Sequence, residues 1–265
     1  MTRKRPTVAD LRAAKGRRQM TMLRYFSLDE AAASEAAGID IASVPPELIT
    51  HPRYREEAPS IFSMTGKTHL EYGSADDYLR FCGQMMEAGA DALYCSGSMQ
   101  TVERLAREFI PIVGHVGIVP ARATWTGGFR AVGRDADTAI RVYEECKAYQ
   151  EAGAIAVEIE VVPDEVAQAI SERLDILLWS MGSGGGCDAQ YLFAEDILGE
   201  GKSRVPRHAK VYRDFATEYE RLQNERVAAF KEFSADVESG VFPETKHLVS
   251  MKDGEYEKFL DGIGG

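Results

Sequence analysis

The 265-residue sequence predicts an α/β fold, a (β/α)8 TIM barrel in which eight parallel strands are surrounded by helices. Its length matches the roughly 250 residues typical of this fold. A phrase of Glu, Ala and Gly followed at once by a short apolar run recurs at 35–41, 87–93 and 151–157. Because Gly ends helices in the left-handed conformation, each copy marks the joint between a helix and the next strand. Repeated joints without hairpin signals favour a parallel barrel, and no GxGxxG follows the first strand to suggest a dinucleotide-binding sheet.

Short apolar runs and helical periodicity give the elements in chain order. Strands are predicted near residues 20–25, 39–44, 60–64, 91–95, 111–115, 154–161 and 176–181, with an eighth near 203–206. Helices are predicted over 28–37, 75–88, 101–108, 135–151, 164–173, 188–198 and 208–237, the last being a C-terminal helical extension.

The ends of the chain and one long loop complete the predicted organisation. Thr7 and Asp10 resemble the capping pair of an N-terminal helix that covers one end of the barrel. The polar segment 45–59 predicts a long loop at the carboxyl end of a strand, where barrel active sites lie. Since no linker or shift in composition divides the chain, we predict a single barrel domain over residues 1–265.

The composition excludes several classes of partner. The formal net charge of −11 disfavours nucleic acid and anionic membrane surfaces. No apolar run approaches the roughly 18 residues that span a bilayer. The cysteines (Cys82, Cys95, Cys146 and Cys187) are scattered and form no CxxC pair. This pattern predicts free thiols in a reducing compartment, and therefore a cytoplasmic protein.

Two glutamates and a histidine are the candidate catalytic residues. Glu158 and Glu160 lie two apart in a strand-like run, so both face the same way, opposite Val157 and Ile159. We expect the aliphatic pair to pack on the helices and the glutamates to point into the barrel, where desolvation makes a carboxylate a candidate base. Glu160, nearer the strand's end, is the preferred base, and a structural ion pair is the alternative. His115 also ends a strand and is predicted to donate to a substrate oxygen, unless it is a core histidine satisfied by backbone.

Two further segments are predicted to contact substrate. Gly182, Ser183 and Gly184 follow a strand, and their backbone N–H groups are expected to approach a carboxylate or phosphate, although a merely tight turn explains the glycines equally well. Tyr94 and Ser96 close the fourth strand around Cys95, for which a buried structural role is favoured over a nucleophilic one. No cluster shows metal-ligand spacing.

These motifs together resemble the ketopantoate hydroxymethyltransferase family of the phosphoenolpyruvate/pyruvate barrel superfamily. The similar stretches are Thr7–Lys15 with Met20–Leu23, Gly114–Pro120 continuing to Arg134, Glu160–Pro163, Met181–Gly184 and Val237–Pro243. They follow in the family's order from about residue 7 to 247, with 45–75 poorly matched. Several motifs in order are more specific than any one alone.

The resemblance implies a reaction and a set of partners. In that family a divalent metal, usually magnesium, holds a 2-oxo acid. A glutamate removes the proton beside the ketone, and the enolate attacks methylenetetrahydrofolate to add a hydroxymethyl group. The family glutamate falls on Glu160 and its histidine on His115, which agrees with the interpretation from the residues. The family forms homo-oligomers, often decamers, and the same is expected here.

The family's metal ligands do not carry over. Its Val-Gly-Asp-Ser falls on Ser43–Pro46, its second aspartate near Thr65 or Gly66, and its Lys-x-Glu on Tyr94–Ser96. None of these positions offers a carboxylate, so we expect no tight magnesium site.

Positive side chains are expected to act in place of the metal. Arg24 near the end of strand one, with Lys67 and His69 after strand three, could supply this charge in the substrate pocket. Glu47 is the nearest carboxylate, but on a regular strand it is one residue out of phase and would face the other way.

The leading hypothesis is therefore a divergent family member that performs enolate or aldol chemistry on a small 2-oxo acid. A metal-independent lyase of the same superfamily and a non-catalytic small-molecule-binding barrel are the alternatives. The sequence does not separate synthesis from cleavage, and a dead scaffold would not need a desolvated Glu160.

Overall fold

The computed structural model describes residues 3–67, 71–128, 130–201 and 205–264. The chain divides into two compact units, Met1–Arg213 and Asp214–Gly265.

The first unit is a closed barrel of eight parallel strands, each paired with its neighbours in chain order. The strands are β1 Met20–Arg24, β2 Ile41–Val44, β3 Phe62–Thr65, β4 Ala92–Tyr94, β5 Ile112–Gly117, β6 Ala156–Glu160, β7 Leu177–Met181 and β8 Ala189–Phe193. Strands β1 and β8 pair over five residues and close the barrel. The predicted fold class is confirmed.

Helices surround the strands as the alternating pattern predicts. In the first unit they are α1 Val8–Ala14, α2 Leu28–Ala37, α3 Pro46–Ile49, α4 Tyr54–Glu57, α5 Ala75–Glu87, α6 Met99–Arg107, α7 Ala123–Thr126, α8 Ala136–Glu151, α9 Asp164–Ser171 and α10 Ala194–Leu198, with a 3-10 turn at Pro120–Arg122. Thr7 and Asp10 form the predicted capping box of α1. Leu11 of this helix packs into the apolar cluster inside the barrel, so α1 covers the end where the strands begin.

The eighth strand was predicted in the wrong place. It occupies Ala189–Phe193, inside the segment 188–198 that was predicted to be helical, and only α10 in that segment is a helix. Asp188 is not a helix cap, because its carboxylate accepts a hydrogen bond from the Leu178 amide and pairs with Lys15 at 2.9 Å. The chain returns from β7 to β8 through residues 182–188 without a helix. We call these residues the return segment. Of the predicted strand at 203–206, residues 203 and 204 lie outside the described part and Val205 and Pro206 are not in a strand.

The predicted loop 45–59 also needs correction, because it contains α3 and α4. Pro45 and Pro46 suit a helix start, where a missing N–H costs nothing. Glu47 lies in the first turn of α3 and is exposed.

The barrel interior is apolar where the strands begin and polar where they end. Alternate residues point inward, and the apolar ones are Met20, Met22, Ile41, Phe62, Met64, Ala92, Val113, Ala156, Leu177, Trp179, Met181, Ala189 and Tyr191. Val157 and Ile159 instead pack in the layer between strands and helices, as predicted. The same alternation along β6 points the side chains of Glu158 and Glu160 into the barrel.

The second unit contains α11 Phe215–Ser239, a 3-10 turn at Thr245–His247 and α12 Glu255–Gly262. Asp214 caps α11 through the Thr217 amide, and Gly240 ends it in the left-handed conformation. No residue of α11 is buried. Among the residues that the structure describes, no helix is long and apolar enough to cross a membrane.

Candidate active site

Polar side chains converge inside the barrel where the strands end, the position at which barrel enzymes carry their active sites. They are Arg24 of β1, Ser43 of β2, Tyr94 of β4, His115 of β5, Glu158 and Glu160 of β6, and Tyr191 of β8. The structure thus brings four of the predicted site residues, Arg24, Tyr94, His115 and Glu160, to the same end of the barrel interior.

A hydrogen-bond chain joins Tyr94, His115 and Glu160. The Tyr94 hydroxyl lies 2.9 Å from His115 Nδ1, and His115 Nε2 lies 3.0 Å from Glu160 Oε2. Burial raises the pKa of Tyr94, so its hydroxyl keeps its proton. A carboxylate oxygen only accepts, so the imidazole donates to Glu160 and the Tyr94 hydroxyl is the donor to Nδ1. A neutral imidazole that accepts at Nδ1 carries its proton on Nε2 and donates to Glu160. The chain therefore fixes one carboxylate oxygen of Glu160, while the other has no hydrogen-bond partner among the described residues.

The backbone around Glu160 is held tightly. Gly117 has a φ of 85°, and a Cβ there would lie 2.2 Å from the Glu160 carbonyl oxygen, so only glycine fits. The same carbonyl accepts a hydrogen bond from the Ile118 amide at 3.0 Å. Val161 follows Glu160 with a φ of 52°, a conformation that is rare for a β-branched residue and costs about 1–3 kcal/mol. Such strain concentrates at functional sites, and here it adjoins the candidate base.

Glu158 is the more deeply buried of the two glutamates. Its residue is 5% exposed, whereas the Glu160 side chain is 18% exposed. Burial raises the pKa of Glu158 to about 7, although His115 and Arg24 act in the opposite direction. His115 Nδ1 stands 3.8 Å from its Oε2, beyond hydrogen-bond distance, and its Oε1 has no partner among the described residues. A buried oxygen without a partner marks a place where a ligand group fits.

Arg24 enters the site from the end of β1. Its Nη1 donates to Ser43 Oγ at 2.9 Å, and its guanidinium lies over the rings of Phe26 and Phe193, at 5.2 and 5.8 Å from the centroids. The Tyr191 hydroxyl interacts with both Ser43 and Arg24. Sequence reasoning missed these partners, because Tyr191 and Phe193 lie in a segment predicted to be helical. The aromatic residues in the short apolar run 189–193 favour a strand and are the sequence signal that could have found them.

The return segment makes hydrogen bonds and close contacts with neighbouring parts of the barrel. Ser183 is fully buried, donates to the Ile159 carbonyl at 2.9 Å and accepts from the Val162 amide at 3.0 Å. A Cβ on Gly184 would lie 2.2 Å from Asp164 Cβ, and the Gly184 carbonyl accepts from Ser180 Oγ. These contacts favour a structural role for the segment, while substrate binding by Gly182, Ser183 and Gly184 stays a prediction.

Of the remaining predicted positions, Ser96 contacts the hydrogen-bond chain through a side-chain hydrogen bond with Tyr94. Lys67 is 38% exposed and pairs with Glu71 at 3.3 Å, while His69 lies outside the described residues. Ser96 is buried beyond the end of β4. Cys95 is buried in the layer between strands and helices, and burial raises the pKa of its thiol, which favours the structural role.

The described residues at the positions matched to the family's metal ligands do not fit a magnesium ion. Ser43 accepts a hydrogen bond from a guanidinium, and Thr65 donates to the Val44 carbonyl at 2.8 Å. Magnesium requires carboxylate or other oxygen ligands in octahedral geometry, and a neighbouring guanidinium opposes a second cation. No group of three or more His, Cys, Asp or Glu in the described part of the chain could hold a metal ion.

Comparison with known proteins places the chain among relatives. Residues 62–245 match the sequence profile of the family described as ketopantoate hydroxymethyltransferase. The 3-methyl-2-oxobutanoate hydroxymethyltransferase of Halalkalibacterium halodurans is 34% identical over 222 residues, covering 82% of this chain and 77% of that protein. The enzyme of the same name from Nitratidesulfovibrio vulgaris is 31% identical over 281 aligned positions, covering 97% of this chain and 89% of that protein.

Solved structures share the fold. A phosphonopyruvate hydrolase in complex with oxalate and Mg2+ superimposes with a TM-score of 0.51 and 15% identity, covering 98% of this chain and 95% of the other. At this identity the likeness concerns the barrel alone. The profile match and the identities over most of both chains show that this protein belongs to the ketopantoate hydroxymethyltransferase family.

Proposed function

We propose that the protein makes or breaks a carbon–carbon bond beside the ketone of a small 2-oxo acid, with Glu160 as the general base. The hydrogen-bond chain Tyr94–His115–Glu160 is the observation that carries this proposal. It holds one oxygen of a partly exposed carboxylate and leaves the second oxygen able to take a proton. The relatives are named for acting on 3-methyl-2-oxobutanoate, which supports a branched 2-oxo acid as the substrate.

The first step is removal of a proton from the carbon beside the ketone. That proton moves to the free oxygen of Glu160, and the electron pair of the C–H bond becomes the double bond of an enolate whose charge rests on the ketone oxygen. The enolate carbon then bonds to the methylene carbon of a one-carbon donor, whose two C–N bonds break. Water supplies the hydroxyl oxygen, and the donor's nitrogens take up the proton from Glu160 and one proton from water. The names of the relatives support transfer of a hydroxymethyl group. The family resemblance implies methylenetetrahydrofolate as the source of that carbon.

His115 is proposed as a positioning residue for this step. Its Nε2–H donates to Glu160 throughout, so the carboxylate does not need to reorient when it takes the proton. Tyr94 fixes the tautomer that makes this donation possible.

Deuterium exchange tests the first step without a second substrate. Incubation with 3-methyl-2-oxobutanoate in D2O, followed by proton NMR, is expected to show enzyme-dependent loss of the signal from the carbon beside the ketone. Glu160→Gln is expected to lower the rate at least ~100-fold, in the range seen for loss of a general base. Glu165→Gln, an exposed glutamate at the start of α9, is the matched control and should leave the rate unchanged.

Exchange by the Glu160→Gln variant at the parental rate would exclude Glu160 as the base. A protein that binds the oxo acid but exchanges no deuterium would be the non-catalytic barrel. Addition of methylenetetrahydrofolate, or of ketopantoate with tetrahydrofolate, then establishes whether synthesis or cleavage follows the exchange step.

A further inference from the structure

We propose that Arg24 and Glu158 together take the place of a divalent metal, with the Arg24 guanidinium binding the substrate carboxylate and protonated Glu158 donating a hydrogen bond to the ketone oxygen. This inference rests on the proposed function, since both groups are assigned to the same 2-oxo acid. It differs from the family's reaction in needing no metal to hold the substrate.

The placement of Arg24 suits a carboxylate. Arg24 is the last residue of β1 and points into the polar end of the barrel, where Ser43 Oγ accepts from one of its five N–H donors and the Tyr191 hydroxyl also interacts with the guanidinium. The planar guanidinium presents its other donors in pairs that match the two oxygens of a carboxylate. The rings of Phe26 and Phe193 hold the guanidinium plane without using its donors.

The charge of Arg24 is also available. Among the described residues, no carboxylate oxygen lies within 4.0 Å of a guanidinium nitrogen of Arg24, the distance that defines an ion pair. Arg55, another partly buried arginine of the barrel, pairs with Asp91 at 2.8 Å and donates to backbone carbonyls. A half-buried, anchored guanidinium without an ion-pair partner indicates that the partner is an anionic ligand.

Glu158 supplies the second independent observation. Its Oε1 is buried, faces the barrel interior and has no hydrogen-bond partner among the described residues. Arg24 and His115 act electrostatically on its ionisation, and strand alternation points all three side chains into the barrel. Because burial raises the pKa of this carboxyl to about 7, a substantial fraction carries a proton at neutral pH. A protonated carboxyl group donates to a developing oxyanion without adding negative charge beside it.

The two groups divide the tasks of a metal between them. A bound metal neutralises the carboxylate and polarises the ketone. Here the guanidinium would neutralise the carboxylate, and the carboxyl proton would stabilise charge on the ketone oxygen while Glu160 removes the proton from the adjacent carbon. No covalent bond to the protein forms, and the proton of Glu158 stays on Glu158.

Binding measured apart from turnover tests the inference. Isothermal titration of 3-methyl-2-oxobutanoate into the Glu160→Gln variant, with excess EDTA and separately with magnesium, is expected to give the same Kd. Adding Arg24→Met should weaken binding at least ~30-fold, and Arg24→Lys should restore only part of it, because an ammonium does not bind both oxygens in one plane. Arg80→Met is the control, since Arg80 is exposed on α5 and pairs with Asp77.

Substitutions of Glu158 test its hydrogen bond to the ketone oxygen separately from carboxylate binding by Arg24. The amide of Glu158→Gln is still able to donate to the ketone oxygen, so the oxo acid should bind with nearly parental affinity, whereas Glu158→Ala should lower the deuterium exchange rate more than it lowers affinity. Thermal unfolding of each variant establishes that it is folded before binding is measured.

The failures are distinguishable. Binding that requires magnesium, binding that is unchanged in Arg24→Met, or no binding of the oxo acid to the parent protein would overturn the inference. Arg24-dependent binding without any deuterium exchange in the parent protein would instead overturn the proposed function and leave the carboxylate site standing.

Discussion

His115 and Glu158 are cross-strand partners in the register of β5 and β6, yet the imidazole hydrogen-bonds to Glu160, two residues further along the strand. One ring therefore stands between two carboxyl groups that have different surroundings. Glu160 is accessible and fixed by a hydrogen bond, whereas Glu158 is buried and its Oε1 has no partner. Pairs of titratable groups whose environments differ in this way commonly divide acid and base roles.

Removal of the Tyr94 hydroxyl is expected to impair the base without unfolding the protein. Tyr94→Phe leaves Nδ1 of His115 without its donor, so the ring is free to adopt the other tautomer and stop donating to Glu160. We expect deuterium exchange to slow about 10-fold or more at saturating oxo acid, with a smaller change in KM.

Tyr72→Phe is the matched control for this substitution. The Tyr72 hydroxyl is buried and has no partner in the described part of the chain, so its loss should leave both exchange and stability nearly unchanged or slightly improved. Equal effects of the two substitutions on exchange would contradict the role given to Tyr94.

Gly117→Ala is expected to destabilise the barrel and displace Glu160. The new Cβ would lie 2.2 Å from the Glu160 carbonyl oxygen, at a φ of 85° that alanine rarely adopts. We expect a loss of about 2–4 kcal/mol in the free energy of unfolding, measured by urea denaturation, together with slower exchange.

Gly83→Ala is expected to raise the free energy of unfolding, the opposite of the effect expected for Gly117→Ala. Gly83 lies inside α5, and a Cβ there would meet nothing within 4 Å. The substitution should stabilise the protein by about 0.5–1 kcal/mol, because alanine favours the helix. Destabilisation by Gly83→Ala, or tolerance of Gly117→Ala, would show that the packing at these positions differs from that described.

Glu158 should make the stability of the protein fall as pH rises towards neutrality. Burial raises its pKa to about 7 in the folded state, against roughly 4.3 in an unfolded chain. Between these values the folded state binds the proton more tightly, so the free energy of unfolding decreases from about pH 4.5 to about pH 7. The loss is on the order of 3 kcal/mol.

Glu158→Gln removes this titration, so its stability relative to the parent should increase from about pH 5 to about pH 8 in urea unfolding experiments. Of the neighbouring groups, Glu160 raises this pKa further whereas His115 and Arg24 lower it, and all three are unchanged in the variant. Glu165→Gln serves as the exposed control. A stability difference between parent and Glu158→Gln that is constant over this pH range would exclude a raised pKa.

The protein is expected to form homo-oligomers in solution. The family resemblance implies this, and α11 adds large apolar side chains in contact with solvent, among them Phe230, Phe233 and Val237. Light scattering should give a mass well above the 29.2 kDa of one chain. Phe230→Asp with Phe233→Asp should lower that mass, while Gln223→Ala on the same helix should not. A parental mass of 29.2 kDa would refute the prediction.

The sequence predicted the repeating architecture well because its signals are local. Helix α2 matches the predicted segment 28–37, and the glycine joints precede β2, β4 and β6 as expected. Strand β8 was missed because its flanking signals point to a helix: glycines and then Asp188 stand where a turn and a cap usually stand. Only the tertiary partners of Asp188, the Leu178 amide and Lys15, exclude that interpretation.

The candidate site was predicted in part for the same reason. Strand parity directs Glu158 and Glu160 into the barrel, and the structure agrees. Strand alternation does not predict which of the two glutamates hydrogen-bonds to His115. That depends on the register between β5 and β6 and on how far each side chain extends. The anchoring of Arg24 by Ser43 joins residues 19 apart on neighbouring strands, which no local pattern records.

The return segment restricts how this enzyme can change its loops. Barrel loops usually vary independently of one another. Here the Ser183 hydroxyl hydrogen-bonds to the backbone on both sides of Val161, at the Ile159 carbonyl and the Val162 amide. The strained turn beside Glu160 is thus held in place by a residue of the connection between β7 and β8. Exchange of the loop between β7 and β8 would remove these hydrogen bonds. We therefore expect that this loop and the turn after β6 can be exchanged only together.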